Sequence, residues 1–463
     1  MINSKINVIS IKDKNACVLL YVVLIVFCVF SLIFNHASLY SWTQTILFIL
    51  IMTVMFLYIM FSKNITYIDP VLLFFVAIFL YEIPKLLWYL GFYSEDEVQR
   101  SALTSFNIKN VDYINGSAWY LIYTIIAMLI VLISSSLNIK FECTDRYYSL
   151  PNQSVRYFSY IIISFFVVVL FLASTDGRLL YFLSARQGDL GAKDLRDGLY
   201  FLTAISISML YLFVYAYVCQ VSRVKKAFLS LCFALISIIV FLITGSRGFI
   251  VYGVVSYFIY LINENGDVPW IKLIFLTIVI AMSFSVIGIL RNIPIDSLSI
   301  DSIVLFYSEN NDSQSLGEYQ MQLRDELIFD RSDIIEPYYF DFIISPITSI
   351  IPKSVIGSFK MPMIDGVIAK DIWGRYDIGL PVNVTTEAFL SFKFMGFLLF
   401  IPLGIFLRLF YLYMVHKSNF VYVYIPIMIL SQTFLTSKLF FVMQVAIIMV
   451  VFILINKLFE TNA

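Results

Sequence analysis

Residues 16–35 read ACVLLYVVLIVFCVFSLIFN and residues 43–62 read TQTILFILIMTVMFLYIMFS, and these two runs decide the fold. Neither contains Asp, Glu, Lys or Arg. As helices, apolar runs of about 20 residues cross the ~30 Å hydrocarbon core of a bilayer, where backbone polar groups must be satisfied within the segment. Only a short polar turn separates them, so the chain starts as an antiparallel pair of spans. Lys5, Lys12 and Lys14 precede the first run. That run is too long for a signal sequence and lacks a small-residue cleavage site, so an uncleaved first span is expected.

Outward from this pair the pattern recurs near residues 70–91, 116–137, 157–174, 199–220, 228–244, 249–263, 271–290, 396–414, 421–436 and 439–457. The sequence therefore predicts an all-α polytopic integral membrane protein with about twelve transmembrane helices. The stretches 249–263 and 421–436 are short enough to be half-spans or re-entrant pieces. Composition agrees: 60% of the residues are hydrophobic, 13% are charged and mean hydropathy is +0.89, a balance no soluble domain tolerates on its surface. Phe and Tyr dominate an aromatic content of 17%, which suits rings facing lipid or headgroups. The cysteines fall in apolar runs or in segments read as cytoplasmic, so no disulfide is expected.

Charge sets the sidedness. Arg223, Lys225 and Lys226 between spans six and seven give the clearest positive-inside signal, and with the N-terminus inside, basic residues outnumber acids on that face and are outnumbered on the other. Both termini are then cytoplasmic. Outside lie loops near 92–115 and 175–198, a tight turn at 244–248, and the long stretch 291–395. The expected division is thus nine helices over 1–290, a long, partly helical outer loop over 291–395 between spans nine and ten, and three helices over 396–463. Within that loop, Tyr338, Tyr339, Phe340 and Phe342 precede a Pro-broken apolar run, which suits a segment lying in or dipping into the interface. No internal repeat is visible, which disfavours common transporter architectures.

Arginines on the outer face are the first candidates for chemistry, because a guanidinium fork binds phosphate oxygens at two points and stays charged. Arg186 lies in the loop before span six, Arg247 in Thr244-Gly245-Ser246-Arg247-Gly248, Arg291 at the end of span nine and Arg331 in the long loop. The two glycines around Arg247 permit a sharp turn whose following helix offers free amides, an anion site at the membrane surface. Plainer readings stand beside these: a headgroup anchor for Arg247, a snorkelling helix end for Arg291, a solvated loop charge for Arg186. Glu387, in Val384-Thr385-Thr386-Glu387-Ala388-Phe389 just before span ten, is costly at that depth unless it is functional or paired with an arginine. The acids from Asp325 to Asp333 alternate with arginines and read as a solvated ion-pair network. Glu82 and Lys85, in span three beside Pro84, read as a structural pair. Only His36 and His416 are histidines, and neither a metal-ligand spacing nor a nucleotide-binding glycine motif is present, so no cofactor is expected.

Together, Arg186, the Thr-Gly-Ser-Arg-Gly turn at 244–248, Leu290-Arg291, and Thr386-Glu387-Ala388-Phe389 followed by Phe394-Met395-Gly396 resemble the bacterial O-antigen and repeat-unit polymerases of the Wzy family, distant relatives of the O-antigen ligases. The resemblance covers most of the chain. It implies a GT-C-like glycosyltransferase of the bacterial inner membrane acting at the periplasmic face on undecaprenyl-diphosphate-linked oligosaccharides. It further implies that the growing chain moves from its lipid diphosphate onto a new lipid-linked repeat unit. On that basis Arg186, Arg247, Arg291 and Arg331 would meet diphosphate or glycan, and Glu387 would serve as base. Membrane lipids and a chain-length-regulating membrane protein are the implied partners, with no nucleic acid. A ligase would carry a histidine in the long loop, and this one has none; metal-dependent relatives carry acids in the first outer loop, and residues 36–42 have none. A flippase for the same lipid-linked sugars is the alternative from another class, although its charges would line the midplane.

Overall fold

The computed structural model describes residues 11–62, 65, 69–91, 114–137, 224, 227–228, 231, 299, 325–330, 335–341, 344, 348, 357–359, 367, 370 and 382–416. The described residues are helical, with no strand among them. Helix α1 spans Ile11–Phe34, α2 Leu39–Phe61, α3 Pro70–Tyr89 and α4 Ile114–Ser135. A broken helical run follows, with α5 at Val384–Phe392, a 3-10 segment at Lys393–Leu399 and α6 at Phe400–His416. Among the described residues, four stretches are long and apolar enough to cross a membrane: Asp13–Phe34, Leu39–Phe61, Gly116–Ser135 and Val384–Leu412. Pro70–Ile83 is a shorter apolar helix within α3. Helices therefore stand where hydropathy places spans one to four and ten, while the other expected spans lie outside the described residues apart from isolated positions.

Local chemistry explains each turn. Helix α1 ends as a Schellman-type cap, with Ala37 N–H bonded to Leu32 O and His36 N–H to Ile33 O, and His36 takes the left-handed conformation at φ 48°. Ser38 then caps α2, its side chain accepting from the Ser41 N–H. Asp69 begins α3 by accepting from the Val71 N–H, and Pro70 follows where a missing N–H costs nothing. These contacts also show which helix ends share a face. Lys14 near the start of α1 donates to Ser62 O beyond the end of α2, whereas Asn35 beyond α1 donates to Leu90 O beyond α3. The first four helices alternate in direction.

Packing between helices in lipid relies on close approach more than on water exclusion. Gly404 in α6 lets that helix close on α4: a Cβ there would stand 1.9 Å from Ser134 Oγ and 3.0 Å from Val131 O. Phe74, Phe75, Tyr120, Phe389 and Phe400 fill the space between α3, α4, α5 and α6. The span expected as the tenth begins earlier than its hydropathy indicates. Its helical run begins at Val384, upstream of the hydropathy boundary at 396, and breaks at Lys393, whose φ is 54°. A break inside an apolar helical run leaves carbonyls in need of donors. The Tyr338 and Tyr339 N–H groups supply them, bonding Leu390 O and Ser391 O at 2.9 and 2.8 Å.

Candidate functional site

Two apolar turns of helix bring a buried polar cluster together. On α3, Tyr81, Glu82, Lys85 and Tyr89 recur at helical spacing, and Glu82 meets Tyr120 and Tyr89 meets Ser117 on α4. Between them enters a short helix over 325–330, in which Asp325, Glu326, Leu327, Ile328 and Phe329 are all buried. Gly116 makes its entry possible, because a Cβ there would fall 2.3 Å from Glu326 O. Phe329 locks the segment by stacking on Phe389 at 4.0 Å and meeting the edges of Tyr120 and Tyr123. The acids at 325 and 326 are therefore not a solvated network. Three apolar residues directly after them pull the segment into the helix bundle.

Asp325, Glu82 and Glu326 each accept a tyrosine hydroxyl. Tyr81 donates to Asp325, Tyr120 to Glu82, and Tyr89, at 3.4 Å, to Glu326. Lys85 forms its ion pair with Glu326, and its ammonium lies 5.1 Å from the Tyr120 ring centroid and 5.6 Å from that of Tyr89. The Glu82–Lys85 spacing thus marks one side of a larger assembly, not an isolated helical pair. Burying these charges is tolerable only because hydroxyls and an ammonium surround them. Among the described residues, Glu82 Oε2, Glu326 Oε2, Thr386 Oγ1 and both polar atoms of the Gln44 amide have no hydrogen-bond partner.

Helix α5 starts inside this cluster. Asn383 is its N-cap, accepting from Thr385 N–H through its side chain. The same residue is held from two other sides: its N–H donates to Asp325 Oδ1 at 3.0 Å, and its side-chain amide donates to Tyr120 Oη at 3.1 Å. Thr124 and Thr385 meet across the helices at 3.5 Å. Glu387 lies in the first turn, 7% exposed, with its N–H on Asn383 O at 2.8 Å and its own carbonyl accepting from Ser391 Oγ. An acid at a helix N-terminus is favoured by the helix dipole. Glu387 therefore lies within the tenth span's helical run, one turn below the cluster, and not ahead of the span.

Of the residues expected at the site, the structure describes Glu387 alone. Arg186, Arg247, Arg291 and Arg331 lie outside the described residues. Sequence reasoning missed Asp325, Tyr81, Tyr89, Tyr120 and Asn383 as a group. The available signal was an ionisable pair inside an apolar span, with tyrosines one turn away on either side. No curated protein and no solved structure matches the chain. The model of the O-antigen polysaccharide polymerase Wzy family does match, from residue 17 to residue 462. Because that match runs over nearly the whole of a helical, membrane-spanning chain, the protein belongs to the O-antigen polysaccharide polymerase Wzy family.

Proposed function

We propose that this polymerase joins undecaprenyl-diphosphate-linked oligosaccharide repeat units at the periplasmic face of the bacterial inner membrane, with both termini cytoplasmic. The observation that carries the reading is the family match over residues 17–462. In the proposed step a sugar hydroxyl of the incoming lipid-linked unit attacks the anomeric carbon of the growing chain. The bond from that carbon to the lipid diphosphate breaks, and undecaprenyl diphosphate leaves with the bonding electrons. Glu387 takes the hydroxyl proton, and Arg186, Arg247, Arg291 and Arg331 neutralise charge on the diphosphate or hold the glycan. The burial of Glu387 in the first turn of α5 supports a carboxylate kept from bulk water.

No metal enters this scheme, so a chelator added to polymerising membranes should leave the product ladder unchanged, and its loss would contradict the scheme. A membrane protein that regulates chain length is the proposed partner. The decisive experiment is a deletion strain examined on a lipopolysaccharide or capsule gel. A single repeat unit on the core with no ladder supports polymerisation; loss of that unit as well points instead to a flippase or ligase. Complementation with Glu387→Gln tests the base: the ladder should collapse to the single unit, and a ladder of full length removes Glu387 from the mechanism.

A further inference from the structure

The polar cluster holds Asn383, the N-cap of α5, at its side chain through Tyr120 and at its backbone N–H through Asp325. Asp325 accepts the N–H of Asn383 with Oδ1 at 3.0 Å and the hydroxyl of Tyr81 with Oδ2, and it is fully buried. Asn383 in turn supplies the carbonyl that accepts the Glu387 N–H. From these links we infer that Asp325 is a positioning residue for the transfer reaction, fixing the depth and direction of the α5 N-terminus and with it the Glu387 carboxylate. The inference rests on the proposed role of α5 and Glu387.

Three features make Asp325 the point of control. The N–H of an N-cap residue has no partner within its own helix, so an external acceptor sets where the helix begins. A carboxylate provides a stronger bond there than a neutral acceptor. The segment that carries Asp325 is itself fastened by the Lys85–Glu326 pair and the Phe329–Phe389 stack. Asp325 thus transmits the rigidity of α3 and α4 to a helix that breaks only a few residues later, at Lys393. It acts through Asn383 and makes no contact with substrate in this role.

The test reads position and product separately. In full-length protein in native membranes, Thr124→Cys and Thr385→Cys together report the position of α5, since the hydroxyls they replace are 3.5 Å apart. Oxidation should form a disulfide, identified as a cross-linked peptide by mass spectrometry. Adding Asp325→Ala should lower its yield by ~10-fold or more, the factor that corresponds to one charge-assisted hydrogen bond. In otherwise native protein, Asp325→Ala should remove the polymer ladder at undiminished membrane abundance. Asp325→Asn, which keeps an oxygen facing the Asn383 N–H, should restore much of both. An unchanged cross-link in Asp325→Ala, a full ladder despite a lost cross-link, or Asp325→Asn as inactive as Asp325→Ala overturns the inference. If Glu387→Gln polymerises fully while Asp325→Ala fails in both assays, the Glu387 base is wrong and the positioning of α5 stands.

Discussion

Lys85 faces Glu326 and neighbours Glu82 and Asp325 inside a bundle where water does not screen them. Removing its ammonium leaves carboxylates without compensation, a change that costs ~3–5 kcal/mol in buried pairs. Lys85→Met should therefore lower the melting temperature of the detergent-extracted protein sharply. Lys85→Met with Glu326→Gln should melt between that variant and the native protein; a double variant no better than the single one would mean that Glu326 is not the partner. At this scale the sequence was readable in part. Glu82 and Lys85 stood out as charges in an apolar run, and Glu387 as an acid near a span. Asp325 and Glu326 did not, because the arginines around them resemble a solvated surface, whereas the deciding residues are Leu327, Ile328 and Phe329.

Close approach between elements depends on glycines whose replacement has unequal effects. At Gly116 and Gly396 a Cβ would strike backbone, Glu326 O at 2.3 Å and Ala388 O at 1.8 Å, whereas at Gly404 the nearest atom is the Ser134 hydroxyl, which can rotate away. Gly116→Ala and Gly396→Ala should each destabilise by roughly 1–3 kcal/mol, the usual cost of overpacking, with Gly404→Ala milder. Thermal unfolding in detergent gives the order, and a Gly404→Ala variant as damaged as the other two would contradict it. The hydropathy windows located α1 to α4 to within a few residues, since a span is defined by its apolar length. They misplaced the start of the tenth because Thr385, Thr386 and Glu387 lower the average there. Tertiary partners bury those polar residues, and no sequence window sees them.

Across the whole molecule, alternation of α1 to α4 gives a test of orientation. A periplasmic-active reporter fused in the connection after α2, at residue 64, should stay inactive, and one fused after α3, at residue 100, should be active; the opposite pattern would invert the proposed topology. The helical membrane class and the family were legible from length, hydropathy and the order of a few short motifs. The site was less so, because it is assembled from residues far apart in the chain. Tyr81 and Asp325, joined by a hydrogen bond, are separated by 244 positions. That interval has a temporal meaning. At a translation speed of about 5–20 residues per second, Glu82 and Lys85 wait roughly 10–50 s in the nascent chain before Asp325 and Glu326 are synthesised. Glu82 meets its Tyr120 donor within 38 residues, but during the whole interval Lys85 carries a charge whose ion-pair partner, Glu326, does not yet exist. A chain truncated before residue 325 would thus keep Lys85 in an apolar helix with its ion-pair partner missing, an uncompensated buried charge built into every incomplete product.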